Sequence, residues 1–313
     1  MATIVAKYNL YLPLLLAILI TTIPDIGVPS ACINFEDDFN NTCAKSEKSI
    51  RDEELVDNNI KYNFFLVVVI LFFKLVLTTL TFSADLKTFF NEQRNVWYST
   101  GVYYWSKAIV ELIPTVLILM CFSYIGDIYD SKHSMFTTYF IFLTIGALEI
   151  QSLGHFIGIL FDGQQRLAVF TSIGVFIVTF LFSNFLIPIN ELHYSLQMLS
   201  MLSPLKLVLE CIMLAFYGFD RCSDREFSFV LHLFDVTDND FYINTQLLVI
   251  QFVVVRSASL IALLLKVSPF VNSKKARDIR LMYGRTREHS KAFIPGFSPW
   301  NKTDVKNIYI NNI

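Results

Sequence analysis

The chain has 313 residues, 54% hydrophobic and 17% charged, with a mean hydropathy of +0.51. A soluble domain averages about 45–50% apolar and about 25% charged residues. Here the apolar residues gather into runs near the ~20 residues that a bilayer core requires of a helix, which excludes a soluble globular enzyme. The net charge of −2 is uninformative as a total; its placement along the chain carries the information.

In chain order, six runs read as transmembrane helices, at about 8–28, 62–83, 107–127, 135–161, 167–189 and 245–267. Lys74 interrupts the second and Glu111 and Pro114 the third; Glu149 lies in the fourth and Arg256 in the last. A further apolar stretch, "LQMLSMLSPLKLVLECIMLAFYG", contains Pro204, Lys206 and Glu210. It reads as a broken, interfacial or re-entrant segment, because polar groups and a proline are tolerated at membrane depth only where protein or a cavity receives them. The expected fold is all-α: a polytopic membrane domain over 1–269, then a basic cytoplasmic tail over 270–313.

Lys and Arg mark the cytoplasmic side of a membrane protein. The tail carries "NSKKARDIRLMYGRTREHSK", and Lys87, Arg94, Lys107 and Arg166 fall in the links after the second and fourth runs. The segments "INFEDDFNNTCAKSEKSIRDEELVDNN" and 219–240 are acid-rich. Six spans place the basic links and both termini inside and both acidic loops outside. The first run has a second reading, a secretory signal peptide cleaved near Ala31, which leaves five spans and an external N-terminus.

Cys32 and Cys43 share the first acidic loop with the sequon at Asn40. On the oxidising side a near pair reads as a disulfide, and Asn40 reads as a glycan acceptor. Cys222 has no near mate, so it pairs between two chains or stays free. Cys121 and Cys211 sit in apolar helices and read as packing residues.

The sequence lacks the signatures of chemistry. There is no phosphate-binding G-x-x-x-x-G-K-[ST] loop, no nucleophile elbow and no His, Cys and carboxylate cluster at metal-ligand spacing. Neither an enzyme, a bound cofactor, a metal site nor nucleic-acid binding is expected; the basic tail fits topology and lipid headgroup contact. Intramembrane charges are costly and usually turn inward; Lys74–Glu111 and Arg256–Glu149 are candidate pairings, beside snorkelling toward the membrane face.

Between the second and third runs stands "FFNEQRNVWYSTGVYYWSK", polar, rich in aromatic rings and containing the potential helix breaker Gly101. From residue types alone it is either an interfacial aromatic belt with snorkelling charges or a surface for a cytoplasmic partner. In the fifth run, Phe176 and Phe180 are four apart and share a helix face, with Asn184 and Phe185 beyond them. Such rings face lipid, pack, or line a path.

The extended motif "FFNEQRNVWYSTGVYYWSKAIVELIP" resembles the cytoplasmic loop and third helix of G-subfamily (White-type) ABC half-transporters, in which Glu92, Asn95, Trp97, Tyr98, Ser99, Tyr103 and Tyr104 fall on the pattern. Three further blocks agree in order, "QSLGHFIGILF", "LSPLKLVLECIMLAFYGFDR" and "VVVRSASLIALLLKV". The resemblance covers about residues 60–267. It implies an ABC-2 type transmembrane domain of six helices that pairs into homo- or heterodimers and moves sterols, phospholipids or other hydrophobic substrates in the plasma membrane or an intracellular vesicle membrane. It implies that Glu92, Arg94, Asn95, Trp97 and Tyr98 couple to an ATP-binding domain, and that Phe176, Phe180, Asn184 and Phe185 line the substrate path.

Departures stand beside the matches. The family's Arg is Asn91, the Gly of its F-S-G-F is Asn184, and the Gly of its E-G pair is Cys211. The family's preceding ATP-binding domain has no counterpart in the few residues before the first run, so ATP and Mg are expected on a partner chain. The resulting expectation is the membrane part of an ATP-driven transporter; the alternative is a non-transporting family member acting as a membrane partner or scaffold.

Overall fold

A computed structural model describes residues 32–34, 47–94, 98–129, 136–162, 164–186, 193–219, 226–228, 231, 234 and 236–272. Among these residues the architecture is helical. The elements are β1 (Cys32–Asn34), α1 (Glu47–Arg94), α2 (Thr100–Tyr129), α3 (Phe136–Leu160), α4 (Gln165–Leu181), α5 (Tyr194–Ser200), α6 (Pro204–Tyr217), β2 (Glu226–Ser228) and α7 (Asp238–Asn272). The first expected span, 8–28, lies outside the described residues, as do Asn40, Cys43, Cys222 and the tail beyond 272.

Four helices are long and apolar enough to cross a membrane, within α1, α2, α3 and α7, and a fifth crossing results if α5 and α6 are one bent span. α1 runs 48 residues rather than the expected 62–83. Its N-terminal extension is rich in Glu, Lys and Arg, good helix formers, and Lys61 pairs with Asp57 one turn earlier. α2 begins at Thr100, not 107, so Gly101 sits in its first turn and does not break it; Pro114 is likewise accommodated inside the helix. α7 begins at Asp238, not 245. Thr237 and Asp240 form a reciprocal start there: the Thr237 N–H and hydroxyl both donate to Asp240 Oδ2 at 2.8 Å, and Asp238 and Asp240 oppose the positive end of the helix dipole.

α4 stops at Leu181, well short of the expected 189. Asn184 takes φ 63°, in the left-handed region. Asn enters that region more readily than most side chains, and an α-helix cannot pass through it.

The broken segment reads as expected. α5 and α6 meet at a 79° bend. Ser203 caps α6 by accepting from Lys206 N–H, with Pro204 in the first turn, where its missing N–H costs nothing. The Ser203 hydroxyl also donates to the Thr179 carbonyl of α4 at 2.9 Å, and Gln251 of α7 donates to the Met201 carbonyl at 2.6 Å. The bend is thus tied on both sides.

The one non-helical pairing among the described residues is a short antiparallel ribbon, with Cys32 opposite Ser228 and Asn34 opposite Glu226. It joins the two acid-rich loops.

α3 is the central helix. Of its membrane window 61% is buried, against 17% for α7. Small residues allow this. A Cβ on Gly154 would sit 3.2 Å from Thr78 Cβ and Thr79 Oγ1, and one on Gly158 would sit 3.1 Å from Phe82 Cδ1 and Ser83 Oγ, so both glycines let α1 approach closely. A Cβ on Gly146 would meet Val208 Cγ2 of α6 at 2.5 Å. The main core lies among α1, α3 and α6 around Val67, Leu71, Leu75, Leu143, Ile150 and Val208. A second cluster, Phe82, Leu86, Phe89, Tyr104, Ile159 and Leu263, lies toward the link between α1 and α2.

Candidate functional site

The link between α1 and α2 folds back on itself. Gln93 Nε2 donates to the Tyr98 carbonyl at 2.9 Å, and the Tyr98 hydroxyl donates to Glu92 Oε2. Burial and the bond to Glu92 push the Tyr98 hydroxyl well above its ordinary value, so it stays a donor at neutral pH. Phe89 stacks on Tyr103 at 4.1 Å and sits 6.2 Å from Tyr98. Of the expected coupling residues, Glu92 and Tyr98 are therefore joined to each other. Arg94 ends α1, while Asn95 and Trp97 lie outside the described residues.

One step further into the membrane lies a polar network built from four helices. Lys107 of α2 pairs with Asp85 of α1 and, at 3.5 Å, with Glu111 one turn on. Glu111 Oε2 accepts from Gln151 Nε2 at 2.9 Å and lies 3.0 Å from His155 Nε2. On the other ring face of the network, Arg256 of α7 donates through NH1 to His155 Nδ1 at 3.3 Å and to Ser152 Oγ at 3.4 Å. The tautomer follows from these contacts. Arg256 can only donate, so Nδ1 accepts, and the proton sits on Nε2, aimed at Glu111. The Arg256 guanidinium also lies 4.8 Å from the Tyr104 ring centroid and 5.5 Å from that of Trp105. Tyr104 is fully buried and is hydrogen-bonded to Ser259 of α7.

Neither candidate ion pair forms among the described residues. Lys74 does not pair with Glu111: its Nζ donates to Thr115 Oγ1 at 2.5 Å, and Thr115 in turn donates to the Glu111 carbonyl at 2.7 Å. Arg256 does not pair with Glu149. It lies closer to α2 and to the last turns of α3, while Glu149 Oε2 is buried and has no hydrogen-bond partner among the described residues. Position along the helix is the reason: Arg256 sits level with Ser152 and His155, and Glu149 lies six residues, about 9 Å of helix rise, before His155.

The four residues assigned to a substrate path are packed. Phe185 stacks on Phe64 of α1 at 3.8 Å, Phe180 lies 5.6 Å from the same ring, and Phe176 meets Phe72 edge-on at 5.1 Å. Asn184 Nδ2 donates to Glu210 Oε1 at 3.1 Å and to the Phe234 carbonyl at 3.2 Å. In this conformation these residues form the α1–α4 seam and the floor of a second polar cluster. There, Asn244 Nδ2 donates to Glu210 Oε2 at 2.9 Å, and Lys206 Nζ lies 3.8 Å from Glu210 Oε1. Glu210 thus gathers the end of α4, α6 and the start of α7 around one buried carboxylate.

Of the expected disulfide, only the backbone of Cys32 is described. Cys121 and Cys211 are free thiols, exposed and buried respectively; Cys211 packs as expected, whereas Cys121 lies on the outer face of α2. No metal-holding group of His, Cys, Asp and Glu occurs among the described residues.

The family model described as ABC-2 type transporter matches residues 9–217, which covers α1 to α6. The chain belongs to the ABC-2 type transporter family. It is accordingly the membrane-spanning part of an ABC transporter.

Residue-by-residue reading missed His155, Gln151, Asp85, Asn244 and Trp105, and gave Tyr104 only as a match to the family pattern. A signal existed for two. Gln151 and His155 are four apart inside an apolar run, and a polar i, i+4 pair in such a helix marks one inward face.

Proposed function

We propose that this ABC-2 chain is the membrane half of a G-subfamily exporter for lipids, sterols or other hydrophobic molecules, working as a homo- or heterodimer with ATP-binding domains that bind ATP and Mg. The chain itself carries no hydrolytic chemistry in this reading. The observation that supports it most is the closed link Glu92–Gln93–Tyr98 standing directly beneath the Lys107–Glu111–His155–Arg256 network. A cytoplasmic motor needs a lever: a push on Glu92 and Tyr98 can reach α1, α2, α3 and α7 through the charge-assisted bonds of that network.

The competing reading, a non-transporting scaffold, draws on substitutions at family positions. Asn184 speaks against it. Its backbone sits at φ 63°, where Asn is among the few non-glycine residues readily accommodated, so replacing Gly by Asn there preserves the turn.

The test is affinity purification of the chain at native expression level, followed by ATP-dependent movement of fluorescent phospholipid and sterol analogues in proteoliposomes. Recovery of a polypeptide or segment with a phosphate-binding loop, together with movement that stops when its lysine is replaced, supports the exporter. Recovery without ATP-dependent movement of any of these probes rejects it in favour of the scaffold.

A further inference from the structure

Arg256 is a charged group in the membrane region with an unfilled hydrogen-bonding edge. Among the described residues no carboxylate lies within ion-pair distance of it. The nearby acids are occupied: Asp85 by Lys107, and Glu111 by Lys107, Gln151 and His155. Arg256 holds only a 3.3 Å and a 3.4 Å bond through NH1, and its Nε is buried without a partner. The network contains three cations, Lys74, Lys107 and Arg256, against two carboxylates, Asp85 and Glu111. Neither carboxylate reaches Arg256, and the buried Glu149 does not bond to it either. A charged side chain inside a bilayer costs several kcal/mol unless it is paired.

The surroundings of that charge open onto lipid. Trp105 is 51% exposed, and Val102, Ile109 and Val110 continue an exposed apolar face along α2. Across the α2–α7 seam, Val253, Val254 and Ile261 do the same on α7. At about 1.5 Å rise per residue, the Tyr104 and Trp105 rings that hold the guanidinium start only ~6–8 Å along α2 from Thr100. That depth is the headgroup and upper acyl zone of the leaflet facing the basic segments, where anionic lipids concentrate.

We propose that the α2–α7 seam binds the headgroup of an anionic phospholipid from the cytoplasmic leaflet, with Arg256 as its counter-charge and Trp105 packed on the glycerol and upper acyl chain. The lipid supplies the missing negative charge. Its phosphate accepts from the guanidinium NH2, since NH1 is held by His155 and Ser152 and Nε is buried. Arg256 also bonds His155, so an occupied seam stiffens the His155–Glu111 link, and lipid identity becomes an input to the network. This inference stands on the membrane placement of the helices and on the charge pattern, independently of which substrate is transported.

The experiment uses the full chain in nanodiscs with Trp97→Phe and Trp300→Phe, which leaves Trp105 as the single indole. Acyl-brominated phosphatidylserine or phosphatidylcholine is added at equal mole fraction, and quenching of Trp105 reports which lipid occupies the seam. The expected result is a preference for the serine lipid of about fivefold, the scale of one Arg contact with an anionic surface. Arg256→Gln should abolish the preference and Arg256→Lys should keep part of it. Equal quenching by the two lipids overturns the proposal without recourse to any Arg256 variant. A second control moves the indole off the seam to the exposed α4 position near Arg166 with Trp105→Phe and Phe170→Trp. The same preference there would mean diffuse enrichment around the basic segments, and would equally overturn it.

Discussion

His155 Nε2 lies 3.0 Å from Glu111 Oε2, with the histidine fully buried. Because Arg256 occupies Nδ1 as a donor, this bond runs from a neutral imidazole to a carboxylate, and three helices depend on it. Removing either partner strands polar atoms that water does not reach, at about 1–3 kcal/mol each and more for a charged group.

The two residues should therefore behave as one unit. His155→Ala and Glu111→Gln are each expected to lower stability in detergent by about 2–3 kcal/mol. The double variant should lose less than the sum by roughly 1 kcal/mol or more, as residues in one hydrogen-bonded network do. Denaturant titration of the four proteins measures this. Additivity within ~0.5 kcal/mol would show that the two side chains are not coupled.

The glycine seam of α3 makes a contrast that can be read within one helix bundle. Gly158→Val forces side-chain atoms against Phe82 and Ser83, and Gly154→Val against Thr78 and Thr79. Each should cost about 1–3 kcal/mol by overpacking. Gly174→Ala meets nothing within 4 Å, and should gain up to about 1 kcal/mol from helix propensity. Thermal melting followed by tryptophan fluorescence checks both; comparable losses at Gly158 and Gly174 would rule out the close α1–α3 packing.

At Asn184 backbone and side chain make separate demands. Asn184→Gly keeps the left-handed turn but removes the donors to Glu210 and Phe234, so a loss of about 1–2 kcal/mol is expected. Asn184→Val meets strain as well and should lose more. Asn184→Asp sets a second carboxylate against Glu210 and should be worse than Gly at pH 8, recovering as the pH falls and the pair takes up a proton. A ranking in which Val is the mildest of the three would contradict the turn.

The link between α1 and α2 should couple rather than stabilise. Tyr98→Phe removes only the bond to Glu92 at a half-buried position and should shift stability by less than ~1 kcal/mol. In an assembly with ATP-binding domains it should reduce substrate-stimulated ATP hydrolysis several-fold while basal hydrolysis stays. The folded-state value of the Tyr98 hydroxyl lies above the unfolded value near 10. Its contribution is therefore complete below pH 10 and is lost only as the pH rises beyond it. The wild-type coupling should not change between pH 6 and 9 on account of this group. A Tyr98→Phe assembly with full substrate stimulation would remove the link from the coupling path.

Much of this protein is legible in one dimension. The long apolar runs dictate membrane helices because a backbone in hydrocarbon must satisfy its own hydrogen bonds. Pro204, Lys206 and Glu210 mark the broken segment because a straight lipid-exposed helix has no place for them, and the bend lies just before Pro204. The polar link at Glu92–Tyr98 is visible as composition, and its ordered match with neighbouring blocks points to the family that residues 9–217 share.

What the sequence leaves open is decided by helical phase and by the third dimension. Lys74, Glu111, Glu149 and Arg256 are obvious as intramembrane charges, yet their partners depend on which faces of α1, α2, α3 and α7 meet. The pairing runs through Thr115, His155, Ser152 and Lys107, because those side chains occupy the shared faces. The end of α4 is equally hidden, since Phe185 and Leu186 continue the apolar run; only the left-handed Asn184, held by Glu210, shows where the helix stops. Hydrophobicity decides that a segment enters the membrane, and it is blind to rotation about the helix axis. Close packing at Gly146, Gly154 and Gly158 fixes that rotation, and with it which charge finds which partner.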